Sequence, residues 1–130
     1  MTDLFDLTGK KAVVVGGAGG IGQAIAEGLG EAGAQVMITS RKEESLKRAQ
    51  SEIKESSGVD VLYHVADVTD EDAVEKLLDA AVDEMGTVDI LVNSQGYNKK
   101  FPGTEFPVDE WNKLMDVNVK SLMLTCKHFG

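Results

Sequence analysis

The stretch Lys10-Lys-Ala-Val-Val-Val-Gly-Gly-Ala-Gly-Gly-Ile-Gly22 decides the fold. A short apolar run that ends in glycines reads as a buried strand closed by a tight turn. The glycines satisfy two templates at once, Gly-x-Gly-x-x-Gly from Gly17 and Gly-x-x-x-Gly-x-Gly from Gly16. They open a segment in which Ile21, Ile25 and Leu29 recur at helical spacing until Gly33 stops it. In a strand-turn-helix setting such glycines let backbone N–H groups approach a pyrophosphate at the positive end of the helix. Gln23 follows Gly22 where a phosphate-loop NTPase needs lysine, which disfavours that class.

Outward from this turn, strands and helices alternate. Gln35–Thr39 predicts a second strand. Leu46, Ala49 and Ile53 mark a one-sided helix over Glu43–Ser56, and Val59–Val65 is rich in β-branched residues. In Asp70–Met85 the residues Val74, Leu77, Leu78, Ala81, Val82 and Met85 share one face and acids cover the other, with Thr69 placed to cap the start and Gly86 to end it. Val88–Val92 is a near-continuous apolar strand. A Gly/Pro loop runs to Pro107. A last helix starts near Asp109 and carries Trp111, Leu114, Met115, Val119, Leu122, Met123, Cys126 and Phe129. This pattern predicts an α/β fold, a Rossmann-type doubly wound parallel sheet of which the four strands form the N-terminal half. One dinucleotide-binding domain is expected over residues 1–130.

At the end of the second strand, where an acid would hold a free ribose 2′-hydroxyl, the chain has Ser40-Arg41. A hydroxyl and a guanidinium suit a 2′-phosphate, so NADP is favoured over NAD. Composition narrows the partners. The 130 residues hold 22 acids against 13 bases, a formal charge of −9, with nine acids and the single base Lys76 between Asp67 and Asp89. Such a chain is repelled by phosphate backbones and anionic lipid, which argues against nucleic acid and membrane surfaces. Cys126 is the only cysteine, excluding an internal disulfide and a cysteine-built zinc site, and it reads as a small buried hydrophobe. His64 and His128 are isolated in sequence, and no metal site is expected. No signal peptide is legible at the N-terminus, and the longest uncharged stretch, Ala12–Ala26, holds five glycines; a cytoplasmic protein is the expectation.

Four motifs, in order, together resemble the short-chain dehydrogenase/reductase family. Val15-Gly-Gly-Ala-Gly-Gly-Ile-Gly22 is similar to its Thr-Gly-x-x-x-Gly-Ile-Gly loop, with valine where threonine is usual. Asp67-Val68 resembles the pair after the third strand that contacts adenine, and Asn93-Ser-Gln-Gly96 stands where the family has Asn-Asn-Ala-Gly. Asn118, within Asp-Val-Asn-Val, matches a helix asparagine that supports a proton relay. The resemblance covers the whole chain. It implies cofactor contacts at Gly16, Gly19, Gly20, Ile21, Gly22, Asp67, Val68, Asn93 and Gly96, and a catalytic part for Asn118. It also implies hydride transfer on a small carbonyl or alcohol substrate, and a homo-oligomer.

The family's Tyr-x-x-x-Lys pair is absent, since Asp67 stands four residues after Tyr63 and Phe101 four after Tyr97. The chain therefore reads as the cofactor-binding half of such an enzyme, truncated before the catalytic serine and tyrosine. The alternative is a nucleotide-binding module without chemistry of its own. Asn98-Lys-Lys-Phe-Pro102 and Thr104–Trp111 are most similar to the gluconate 5-dehydrogenase and sugar-acid branch, where lysines can hold a substrate carboxylate. Val15, Ser94 and Gln95 all depart from the family around one contact, the tie between the first turn and the loop after the fourth strand.

Overall fold

The computed structural model describes residues 2–96 and 100–130. Its strands are β1 (Lys11–Val15), β2 (Gln35–Ser40), β3 (Leu62–Val65) and β4 (Ile90–Asn93). They form one parallel sheet in the order β3-β2-β1-β4. The helices between them are α1 (Gly20–Glu31), α2 (Glu43–Ser57) and α3 (Glu71–Met85). After β4 come α4 (Val108–Met115), a π-helical segment Asp116–Lys120 and α5 (Ser121–Phe129).

The alternation along β1 shows why the sheet is covered on both sides. Ala12 and Val14 face α1 and α2, packing with Ala26, Leu46, Ala49 and Ile53. Val13 and Val15 face the other way, onto Val74, Leu77, Ala81 and Met85 of α3 and Leu124 of α5. Successive side chains of a strand point to opposite faces, so a strand with helices on both sides must be apolar throughout. The doubly wound α/β fold follows, with the order of the sheet reversing between β1 and β4.

Several expectations are corrected. Of the residues that mark α1 by their spacing, Leu29 packs against the core and Ile21 is 76% exposed, while Gly22 and Ala26 are the buried positions. Small residues let this helix lie close to the sheet. β3 begins at Leu62 rather than Val59, because Gly58 in the left-handed region ends α2 and the Val61 carbonyl is taken by Gln50 Nε2 at 2.7 Å. β4 begins at Ile90, after Asp89 has closed onto Lys11 through its backbone N–H (2.8 Å) and its side chain (2.9 Å). Thr69 does not cap α3; its hydroxyl donates to Asp67 Oδ1 at 2.6 Å, and Asp70 occupies the cap position.

The last helical region departs furthest from its pattern. Trp111, Met115, Val119, Leu122 and Met123 are exposed, and Cys126 is exposed rather than buried. The residues of α5 that are buried are Ser121, Leu124 and Thr125. Two of the three are hydroxylic because the surface they meet, the end of β4, is polar: Thr125 Oγ1 donates to Asn93 Oδ1 at 2.8 Å.

Charge ties α5 to the start of α3. Lys127 Nζ and His128 Nε2 each lie 2.8 Å from Glu71 Oε2, and His128 Nε2 lies 3.8 Å from Glu75 Oε1. Hydrogen bonds from Lys127 and His128 hold the Glu71 carboxyl down to about 2 from 4.5. A depressed carboxylate stabilises the fold fully above its unfolded value and loses that contribution as pH falls through the folded one. Thermal melts should therefore show part of the acid destabilisation between about pH 4.5 and 2 arising here. Glu71→Gln should remove that part while leaving the melting curve at neutral pH lower and flatter with pH; an unchanged pH profile would rule out the clamp.

Candidate cofactor site

A cleft of about 330 Å³ opens at the carboxyl ends of all four strands. Its walls come from Val15–Gly16, Thr39–Arg41, Ala66–Thr69 and Ser94–Gly96, with Ala18, Gly19, Ser45 and Val117 completing them. This is where an open α/β sheet binds ligands, beside the reversal of strand order.

The glycine turn is built by two kinds of glycine. Gly16 has φ +79°, and a Cβ there would lie 2.8 Å from the Gln95 nitrogen. A Cβ on Gly22 would drive into the Gly16 carbonyl oxygen, so these two are required by the fold itself. Gly19 differs. Its φ of −156° is extended backbone open to any residue, and a Cβ would meet nothing within 4 Å. The protein has no internal use for glycine there, yet Gly19 lines the cleft, as expected where a ligand must reach the backbone closely. α1 starts at Gly20 with no side-chain cap and no acid in its first turn, whereas α2, α3 and α4 each begin with two acids. In a chain of charge −9 this helix end is left free for an anion.

Across the cleft, Ser40 and Arg41 stand together with Ser45 from the first turn of α2. Asp67 accepts hydrogen bonds from the Thr69 N–H (3.0 Å) and hydroxyl (2.6 Å). Partial burial would raise its carboxyl; those two hydrogen bonds, with the charges of Arg41 and Lys120, hold it below the ordinary range instead. It is thus an ionised acceptor at the rim, next to the apolar wall of Ala66 and Val68.

On the third side, the polar end of β4 is knotted to α5. Gln95 Nε2 donates to Asn93 Oδ1 (3.2 Å) and to Ser121 Oγ (3.0 Å), and the Ser121 hydroxyl donates to the Val117 carbonyl within the π segment. Val15 has no hydroxyl, and the tie between the first turn and this loop is made by backbone, Ser94 N–H to the Val15 carbonyl at 2.9 Å. Asn118 sits in the π segment beside Gly96, whose Cβ, if present, would lie 3.5 Å from Asn118 Oδ1.

Gly16, Gly19, Ser40, Arg41, Asp67, Val68 and Gly96 therefore line one cleft. Gly20 and Gly22 lie in the turn behind it, the Ile21 side chain is on the surface, Asn93 braces the loop through Gln95 and Thr125, and neither Asn93 nor Asn118 lines the cleft. Of the Asn98–Pro102 loop, residues 98 and 99 lie outside the described residues, as does Tyr97. Thr39, Ser45 and Gln95 line the cleft without having been singled out as cofactor residues. Among the described residues Glu71, Glu75 and His128 bring ligand atoms together away from the cleft, but Lys127 already occupies Glu71.

Residues 10–129 match the family model described as short chain dehydrogenase. A gluconate 5-dehydrogenase of Gluconobacter oxydans (strain 621H) is 42% identical over 120 residues, 92% of this chain and 46% of that protein. A 5-keto-D-gluconate 5-reductase of Escherichia coli (strain K12) is 34% identical over 124 residues, 95% of this chain and 48% of the relative. A short-chain type dehydrogenase/reductase from Mycobacterium marinum superposes with a TM-score of 0.93 at 35% identity, covering 98% of this chain and 51% of that one. The chain belongs to the short-chain dehydrogenase family, a class of oxidoreductases that bind NAD(P) and act on small molecules. It spans about half the length of the curated relatives it matches. Among the described residues no helix is long and apolar enough to cross a membrane.

The two kinds of glycine separate in experiment. Gly22→Ala should lower the melting temperature sharply, because the clash is with backbone that cannot step aside. Gly19→Ala should leave the melting temperature within a degree or two and weaken dinucleotide binding at least several-fold. Loss of stability in Gly19→Ala, or unchanged binding, would contradict this assignment.

Proposed function

We propose that this chain is the cofactor-binding half of an NADP-dependent oxidoreductase acting on an alcohol or ketone, with a sugar acid as the substrate class. The observation that carries the reading is the cleft itself: an uncapped, acid-free helix end over a glycine turn on one side, and Ser40 with Arg41 on the other. When bound, NADP supplies the hydride donor or acceptor. The backbone N–H groups at Gly19–Gly22 hold its pyrophosphate, and Ser40 and Arg41 hold the 2′-phosphate. Asp67 and Val68 border the adenine, Asn93 fixes the loop that ends in Gly96, and Asn118 orients a proton relay from the π segment, a kind of irregularity common at functional sites.

The amide of Asn118 does not titrate near neutral pH, so the proton must come from another group. Without a Tyr-x-x-x-Lys pair these residues bind and position but do not supply the acid, and general acid–base help is worth ~10²–10⁴ in rate. The sugar-acid class is supported by the names of the gluconate and keto-gluconate relatives. A cytoplasmic location is part of the same proposal, supported by the single cysteine.

Arg41→Ala should weaken NADP binding by about 1.5–3 kcal/mol, roughly 10- to 150-fold, and leave NAD binding little changed. Titration of both cofactors with both proteins tests it, and equal affinity of the unsubstituted protein for NADP and NAD would remove the argument.

Homo-oligomerisation belongs to the proposal too, supported by the exposed row of Trp111, Met115, Val119, Leu122 and Met123. Light scattering should give a mass above that of the monomer, reduced by Trp111→Glu with Val119→Glu. A monodisperse monomer over a wide concentration range would sink it.

A further inference from the structure

A chain of hydrogen bonds runs from the loop after β4 into the π segment, and its direction is fixed at every link. The Ser121 N–H bonds the Asp116 carbonyl, five residues back, and this spacing is what widens the turn. The Val117 carbonyl, four residues back, is the one an α-helix would offer to that N–H; here it accepts the Ser121 hydroxyl instead. A serine hydroxyl has one proton. With that proton spent on Val117, Ser121 Oγ can only accept, and Gln95 Nε2 donates to it at 3.0 Å while donating to Asn93 Oδ1 at 3.2 Å. An amide turned over would set oxygen against oxygen at both contacts. Ser121 is fully buried, so losing the amide would leave its oxygen short of a donor.

What this chain of bonds places belongs to the cleft. Val117 lines it, and Asn118, the next residue of the turn, stands beside Gly96, where a Cβ would lie 3.5 Å from Asn118 Oδ1. The family pattern has alanine where Gln95 stands, and alanine offers no side-chain donor, so the link is an addition to that pattern.

We propose that Gln95 is a positioning residue of this site: its amide, acting through the Ser121 hydroxyl, holds the π turn and so sets Val117 in the cleft wall and Asn118 beside Gly96. This rests on the oxidoreductase reading of the cleft and adds to it a residue that acts through another.

The test compares the full chain with its Gln95→Met and Ser121→Ala variants, the double variant, and Glu71→Gln, which loosens α5 at its far end without touching the link. The readouts are the NMR amide resonances of Val117 and Asn118 without ligand, and NADP titration at a temperature where each protein is folded. Gln95→Met and Ser121→Ala should each move both resonances and weaken NADP binding about three- to tenfold, and the double variant should lose less than the product of the two, as members of one network do. Glu71→Gln should move neither resonance and leave NADP binding unchanged. Ser121→Ala decides the matter if Gln95→Met does not fold. Unmoved resonances in Ser121→Ala, losses that multiply, or equal effects from Glu71→Gln would each overturn the proposal. If the unsubstituted protein binds no NADP, the oxidoreductase reading falls, and the resonances alone decide whether Gln95 holds the turn.

Discussion

The structure depends on one close approach, that of α1 to the turn after β1. Gly22 lies so near the Gly16 carbonyl that no side chain fits between them, and Gly17 is pressed against the Ile38 side chain. Gly30, further along the same helix, leaves room for nothing larger against Val59. The helix is seated on the sheet by backbone and small side chains rather than by bulky ones. Its first N–H groups are thereby delivered to the carboxyl edge of the strands, where the cleft opens. The energy of packing and the placing of the anion-binding end are one constraint.

Charge then sorts the cleft. The chain is acidic overall, and most helix starts carry acids that suit their own dipoles. The start of α1 is spared, and Arg41 enters from the opposite wall, close enough to act on Asp67. Asp67 is ionised because neighbouring donors satisfy it, so it stands as a fixed acceptor between a cationic side chain and an apolar wall. An anionic, heterocyclic ligand meets a complementary surface at each end. The acidic remainder of the protein supplies a background against which other anions are disfavoured.

Much of this was legible in the sequence, for reasons that differ by region. The turn from Val15 to Gly22 and the acids along α3 are local patterns, and local geometry realises them directly. Ser40 and Arg41 were legible because they follow a strand whose end is easy to find. Gln95 was not, since its importance comes from contacts reaching Asn93 and Ser121, which no spacing in the chain announces. Thr69 looked like a cap because of where its hydroxyl stands, but that hydroxyl donates to Asp67 and Asp70 takes the cap position. The apolar side chains from Trp111 to Met123 stay outward because the polar end of β4 selects hydroxyls. Cys126 is outside for the same reason.

The π segment between α4 and α5 sets the rotational phase of the last helix. An α-helix turns by about 100° per residue, so one residue more or fewer before Ser121 would swing α5 by more than a quarter of a circle. Ser121 and Thr125 would leave Asn93 and Gln95, and the loop that forms one wall of the cleft would lose its anchor. Side chains in Asp116–Lys120 other than Val117 and Asn118 can vary within what their neighbours accept. The number of residues there cannot, because that count is what points a polar helix face at a polar strand end.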